Sequence, residues 1–155
     1  MSALPAVLLL AVLEAPPTAP YERTVVLGAG GALEVDSGVS GGGAAFVEYE
    51  ALPEVIELEL GGQIVSGAGG KEVSGDLLFK WPHRLTQQLE IMVGVGPTLT
   101  SRSNAPTARG IAGAADLMWW PRHHAGLWVE PSWEVRFRGG ALGPVTLTAG
   151  PIVGW

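Results

Sequence analysis

The chain has no cysteine and little charge: its 155 residues include 0 Cys, and Asp, Glu, Lys and Arg together make up 15%. The first absence excludes a disulfide scaffold and thiolate-held zinc or iron–sulfur sites. The second sets the chain apart from soluble domains, which carry about 25% charged residues. Long apolar runs are missing as well. The most hydrophobic stretch, Ala3 to Leu13, has 11 residues, against the ~20 that a transmembrane helix needs. Glycine or proline interrupts every other apolar stretch. The glycines follow no three-residue period, which excludes a collagen-like chain. Basic residues are in the minority, 9 against 15 acids, with a net charge of −6 and a pI near 4.9, so nucleic acid is not an expected partner. What remains is a chain 47% hydrophobic with a mean hydropathy of +0.30, 23 Gly and 12 Pro. It is too apolar for disorder and too rich in helix breakers for helices.

Residues 1–21 read as a leader. The Ala3–Leu13 run matches the apolar core of a secretory signal peptide, about 7–15 residues long, but no basic residue precedes Arg23. The proline-laden Ala15-Pro-Pro-Thr-Ala-Pro20 offers no clear cleavage site. The expectation is a truncated signal peptide, with an N-terminal strand or disordered leader as the alternative.

From residue 22 to 155 the dominant period is two, the strand period. Leu127, Val129, Pro131, Trp133, Val135 and Phe137 form one apolar face. Trp128, Glu130, Ser132, Glu134 and Arg136 form the other. Val145 to Trp155 and Leu89 to Leu99 alternate in the same way. Five weaker segments, Val25–Leu33, Gly43–Ala51, Val55–Val65, Val73–Trp81 and Ile111–Trp119, bring the set to eight. None carries a charge on its apolar face in this register. Tight connections marked by Pro53, Pro82 and Pro121 alternate with looser Gly/Ser-rich ones of about 4–11 residues. Two turn classes in alternation are what an up-and-down meander produces, and eight strands make the smallest common closed barrel. The expected fold is all-β, an eight-stranded antiparallel up-and-down transmembrane β-barrel.

The faces decide between oil and water. The non-apolar face is lined with small residues such as Gly28, Gly61, Ala112, Gly94 and Gly150, which suit a crowded barrel interior. The apolar face carries bulky side chains and places Trp81, Trp119 and Trp155 at strand ends, as an interfacial girdle requires. A soluble lipocalin-like binder would need that apolar face to point inward.

With its strand count, alternating turns and last strand Val145-x-Leu147-x-Ala149-x-Pro151-x-Val153-x-Trp155, the chain resembles the small eight-stranded bacterial outer-membrane barrels of OmpA/OmpX-type architecture. The resemblance spans residues 22–155. It implies a bacterial outer-membrane location, outer-membrane lipids as surroundings, and Val153 and Trp155 as part of a signal read by the barrel-assembly machinery. It also implies periplasmic tight turns and external Gly/Ser-rich loops, with a monomer expected. Pro97, Pro131 and Pro151 depart from the pattern, since proline cannot donate to a ladder; each is expected at a bulge or strand end.

In these registers the interior holds Glu48, Glu50, Glu57, Glu59, Asp76, Glu90, Asp116, Glu130 and Glu134. Lys80 and Arg136 oppose them, with Arg138 near the rim. Unpaired buried charge is costly. The expectation is therefore a polar network that plugs and stabilises the barrel, with a cation-attracting lumen as the alternative. No catalytic constellation, cofactor motif or metal-ligand set emerges. His83, His123 and His124 fall in tight turns, and no Walker loop, HExxH or GxSxG occurs. A structural, adhesive or very-small-solute role is expected rather than an enzyme. A lipid-modifying enzyme is the runner-up.

Overall fold

The computed structural model describes residues 23–36, 38–68, 70–103, 105–137 and 142–155. The expected leader over residues 1–21 lies outside them, as does Arg138. Eight strands follow in order: β1 (Val25–Val35), β2 (Val39–Leu52), β3 (Ile56–Gly67), β4 (Gly70–Arg84), β5 (Leu89–Arg102), β6 (Ala105–Arg122), β7 (Ala125–Arg136) and β8 (Leu142–Gly154). Each pairs antiparallel with the next, and β8 returns to β1 to close the barrel. Closure leaves no open sheet edge, the condition for strands to sit in hydrocarbon. The last residue completes the seam. Trp155 N donates to Val25 O at 3.0 Å, and Val25 N donates to Trp155 O at 3.1 Å.

The pairing fixes the barrel's tilt. Followed from strand to strand, it runs Val25, Tyr49, Leu58, Phe79, Val95, Gly113, Trp133, Val145 and back to β1 at Val35. The circuit thus returns ten residues higher on the strand where it began. That shear tilts eight strands by about 40° and leaves an interior just wide enough for side chains to fill.

Alternation places the faces as the periodicity predicts. Val26, Ala32, Leu78, Met92, Ala114 and Ile152 are buried inside, while Leu27, Leu60, Val93, Leu127 and Leu147 are exposed outside. The apolar face therefore points outward, opposite to what a lipocalin-like binder needs. Trp81, Trp119 and Trp155 stand outward at the tight-turn end, 49%, 42% and 58% exposed, with Tyr49 on the same side. Outward Val153 pairs with Leu27 across the seam.

Two expectations are corrected. The strands run longer than the apolar segments, because Gly and Ser in the supposed loops stay paired: Gly41, Gly42 and Gly43 oppose Leu33, Ala32 and Gly31. Only residues 36–38, 68–69, 103–104 and 137–141 separate strands at that end. Backbone pairing needs no apolar side chain, so composition ended the segments too early. Second, none of the three prolines marks a bulge. Pro97, Pro131 and Pro151 keep register with Ile111, Leu147 and Leu127. On the other side of each, the ladder is interrupted and resumes without a shift. Each proline faces one neighbour with its missing N–H and loses pairing there alone. The actual register shifts lie at Glu50/Leu52, Thr100/Arg102, Trp119/Arg122 and Trp133/Val135.

Tight turns at the other end follow local chemistry. Val55 N donates to Leu52 O at 2.9 Å, with Pro53 and Glu54 between; Glu54 has φ 58°, the sign that the third residue of a type II turn requires. Thr86 Oγ1 accepts from the backbone of Gln88 and Leu89, capping the β4–β5 turn.

Candidate functional site

The lumen is the only place in the described residues where charged side chains from many strands converge. Its centre is Lys80 on β4, with 0% of its surface exposed. Four carboxyl groups surround its ammonium: Glu59 from β3 at 2.5 Å, Glu130 from β7 at 3.2 Å, Glu48 from β2 at 3.6 Å, and Asp116 from β6 in direct contact. Carboxylate oxygens of Glu48, Glu59 and Asp116 lie within 4.8 Å of one another, close enough for one cation to bridge, and the lysine ammonium is that cation. Formal charge stays unbalanced, one positive against four negative. Both oxygens of Glu48 and Oδ1 of Asp116 are buried without a hydrogen-bond partner.

Glycine makes this packing possible. A Cβ on Gly94 would come within 2.6 Å of Lys80 Cγ, and one on Gly61 would run into the Asp76 carboxylate. On β1, Gly28 leaves room for Phe46 and Trp128, whose rings stack with centroids 5.5 Å apart and planes 19° apart. Lys80 Nζ lies 5.6 Å from the Phe46 ring centre, at the outer reach of a cation–π contact. These glycines are interior by alternation, as their small size suggests, and each leaves room for a side chain from another strand.

Above and below the centre the lumen changes character. Toward the tight turns, Val26, Met92, Met118, Trp120, Trp128 and Ile152 form a buried apolar layer. Below it, Arg23 lies 3.7 Å from the Trp120 ring centre and donates to His123 O. Glu57 and Glu90 face the space at that mouth together with Glu50 and Arg84. Toward the loops a second ionic cluster forms. Arg136 bridges Glu134 and Glu72, Arg102 joins Glu72, and Thr100 Oγ1 donates to Glu134 Oε2 at 2.9 Å. Between centre and loops, Asp76, Ser74, Thr98, Ser132 and Thr148 line a cavity of about 50 Å³, room for a few waters.

All ten residues of the expected lumen network face inward, but they do not form one cluster. Glu48, Glu59, Asp116 and Glu130 gather on Lys80. Glu134 and Arg136 belong to the loop-side cluster, Glu57 and Glu90 to the opposite mouth, and Asp76 to the cavity wall. Glu34, Glu72 and Arg102 were missed, and all three are inward-facing at the loop end, Glu34 and Glu72 buried. Their parity matches the inward sets of their strands, so extending the period-two reading by one to three residues would have found them. Phe46 and Trp120 were also missed as interior aromatics; they follow the same parity.

No protein-family model and no curated protein sequence matches the chain. Solved structures do. The chain is similar to the outer membrane protein OprG from Pseudomonas aeruginosa, with a TM-score of 0.69 at 11% identity over 87% of this chain and 97% of that one. It is also similar to the N-terminal β-barrel domain of Pseudomonas aeruginosa OprF, with a TM-score of 0.64 at 12% identity over 86% and 98%. A third likeness is to Ail, the attachment invasion locus protein of Yersinia pestis, with a TM-score of 0.56 at 10% identity over 84% and 96%. The chain therefore has the fold of the small eight-stranded outer-membrane barrels.

Proposed function

We propose that the protein is a monomeric barrel of a bacterial outer membrane, with a structural, adhesive or very-small-solute role and no open wide channel. The observation that supports this best is the filled lumen. Lys80 and its four carboxylates cross the centre, the apolar layer around Trp120 and Trp128 lies beneath them, and the cavity beside the centre holds about 50 Å³, with larger spaces of about 170 and 220 Å³ toward the two mouths. The outward apolar surface and tight-end tryptophans support the membrane location, as do the similar structures, all of outer membrane proteins or an attachment invasion protein. Outer-membrane lipids then surround the barrel, and assembly by the barrel-assembly machinery belongs to the same proposal.

Planar bilayer recording tests the sealed lumen. The refolded protein is expected to leave the bilayer silent; reproducible cation-selective steps would overturn the reading and favour a conducting acidic lumen. No catalytic role forms part of the proposal. The serines at the cavity, Ser74 and Ser132, have no histidine beside them there, and His83, His123 and His124 sit at the tight-turn end. Expression in a Gram-negative host should leave the lipid A mass spectrum unchanged. A deacylated or newly acylated species would establish the enzyme instead.

A further inference from the structure

The outward face of the barrel's loop half carries two charged side chains among the described residues, and both are basic. Lys71 on β4 and Arg109 on β6 are exposed at outward-alternating positions. Neither makes an ion pair with a described carboxylate. The chain has 15 acids and 9 bases, and four of the eight described lysines and arginines, Lys80, Arg84, Arg102 and Arg136, are paired with carboxylates. Two cations on a half-face with no described outward acid give that face a positive charge that suits anions from outside the protein.

Their placement is consistent with one partner. The Lys71 carbonyl accepts from Ser103 N at 3.1 Å and Ser103 Oγ at 3.0 Å, while Arg109 pairs with Leu99. The two cations therefore flank β5 and sit four β5 residues apart. With strands about 4.8 Å apart and a rise of about 3.3 Å per residue, their Cα atoms are roughly 16 Å apart. The pairing circuit climbs toward the loop end from β1 to β8, so a strand tilt of about 40° cancels most of this stagger. Both residues then lie within about 4 Å of one height, at the loop-side border of the apolar band. Val73, Leu99 and Ile111 continue that band beneath them.

We infer that Lys71 and Arg109 form a binding site for a lipid whose headgroup carries two phosphates, each cation taking one phosphate while the acyl chains lie on the apolar face below. The inference rests on the membrane reading above. Basic side chains at an anionic membrane surface each contribute enough for about a fivefold gain in affinity, or about 30-fold for the pair.

The test uses the full chain refolded in neutral maltoside micelles and titrated with fluorescent diphosphoryl lipid A, read by anisotropy. The wild type is compared with K71Q/R109Q and with R122Q, which removes an exposed cation at the opposite end. Heat-modifiable gel migration checks the folding of each variant; if the double variant misfolds, K71Q and R109Q are measured singly, each expected about fivefold weaker. The expected result is about 30-fold weaker binding by K71Q/R109Q, wild-type binding by R122Q, and loss of binding to the dephosphorylated lipid. Equal binding by the double variant, or an equal loss in R122Q, overturns the site while leaving the membrane reading intact. A wild type that folds in buffer without detergent overturns the membrane reading and the site with it.

Discussion

Replacing Lys80 by methionine tests whether one ammonium organises the lumen. Methionine keeps an unbranched stem in the notch opposite Gly94 and removes the ammonium, with its charge and its hydrogen bonds to Glu59, Asp116 and Glu130. Four carboxyl groups from β2, β3, β6 and β7 would then share a buried site with no cation. Orphaning one member of a buried pair costs about 3–5 kcal/mol, and here several partners lose their counter-charge together. At an m-value of about 2 kcal/mol/M, that deficit lowers the urea midpoint by roughly 2 M. The opposite change should behave differently. Glu48 is the most distant of the four, at 3.6 Å, and its oxygens have no hydrogen-bond partner. With carboxylates in excess, Glu48→Gln is expected to change stability by less than about 1 kcal/mol and to stabilise if it changes anything. Tryptophan emission and heat-modifiable migration of protein refolded in phosphatidylcholine vesicles, followed through a urea series, measure both. The contrast is what matters. A K80M variant as stable as the wild type, or an E48Q variant as unstable as K80M, would show that the ammonium does not hold the cluster together.

Other predictions follow from the two faces and the turns. Leu60→Arg, at an outward position 60% exposed on the middle of β3, should lose about 2–4 kcal/mol of stability in vesicles, read as a lower urea midpoint. Gly28→Val puts side-chain atoms where the Phe46 ring lies, so overpacking of about 1–3 kcal/mol and an altered near-ultraviolet circular dichroism spectrum are expected; an unchanged spectrum would argue against the Phe46–Trp128 stack. Glu54→Gly relieves a non-glycine residue at φ 58° and should raise stability by up to about 1 kcal/mol, since its exposed side chain is only 3.9 Å from Arg84 in a weak surface pair. Arg136→Gln, which breaks contacts to both Glu72 and Glu134, should destabilise the loop end by about 1–3 kcal/mol, seen as faster amide exchange in β7 and β8 than in β3.

The period-two pattern was enough to assign the inner and outer faces along the strands, because side-chain direction along a strand depends on parity. Pairing is antiparallel throughout, and short connections between successive strands leave little alternative. Pattern alone could not place the strand ends at the loop side. Val39–Gly43 and, on β6, Ala105, Ala108, Arg109 and Gly110 are paired although their composition is that of loops, since the ladder is made by backbone groups that glycine and serine also possess. For the same reason Glu34, Glu72 and Arg102 escaped notice. The prolines show the reverse error. Their missing N–H groups were legible, but whether a strand bulges or tolerates a gap depends on the neighbour that each faces, and that neighbour is set by closure.

The sequence by itself determined that the chain is a strand meander with an oily outer face and an acidic inner one, a consequence of local alternation and of where charge is absent. Only the tertiary structure decided which interior charges meet. Glu48, Glu59, Lys80, Asp116 and Glu130 come from five strands, up to 82 positions apart in the chain, and reach one point because the shear of the closed barrel brings their levels together. Parity says that a side chain points inward; the height at which it arrives depends on the register of every strand between it and its partner.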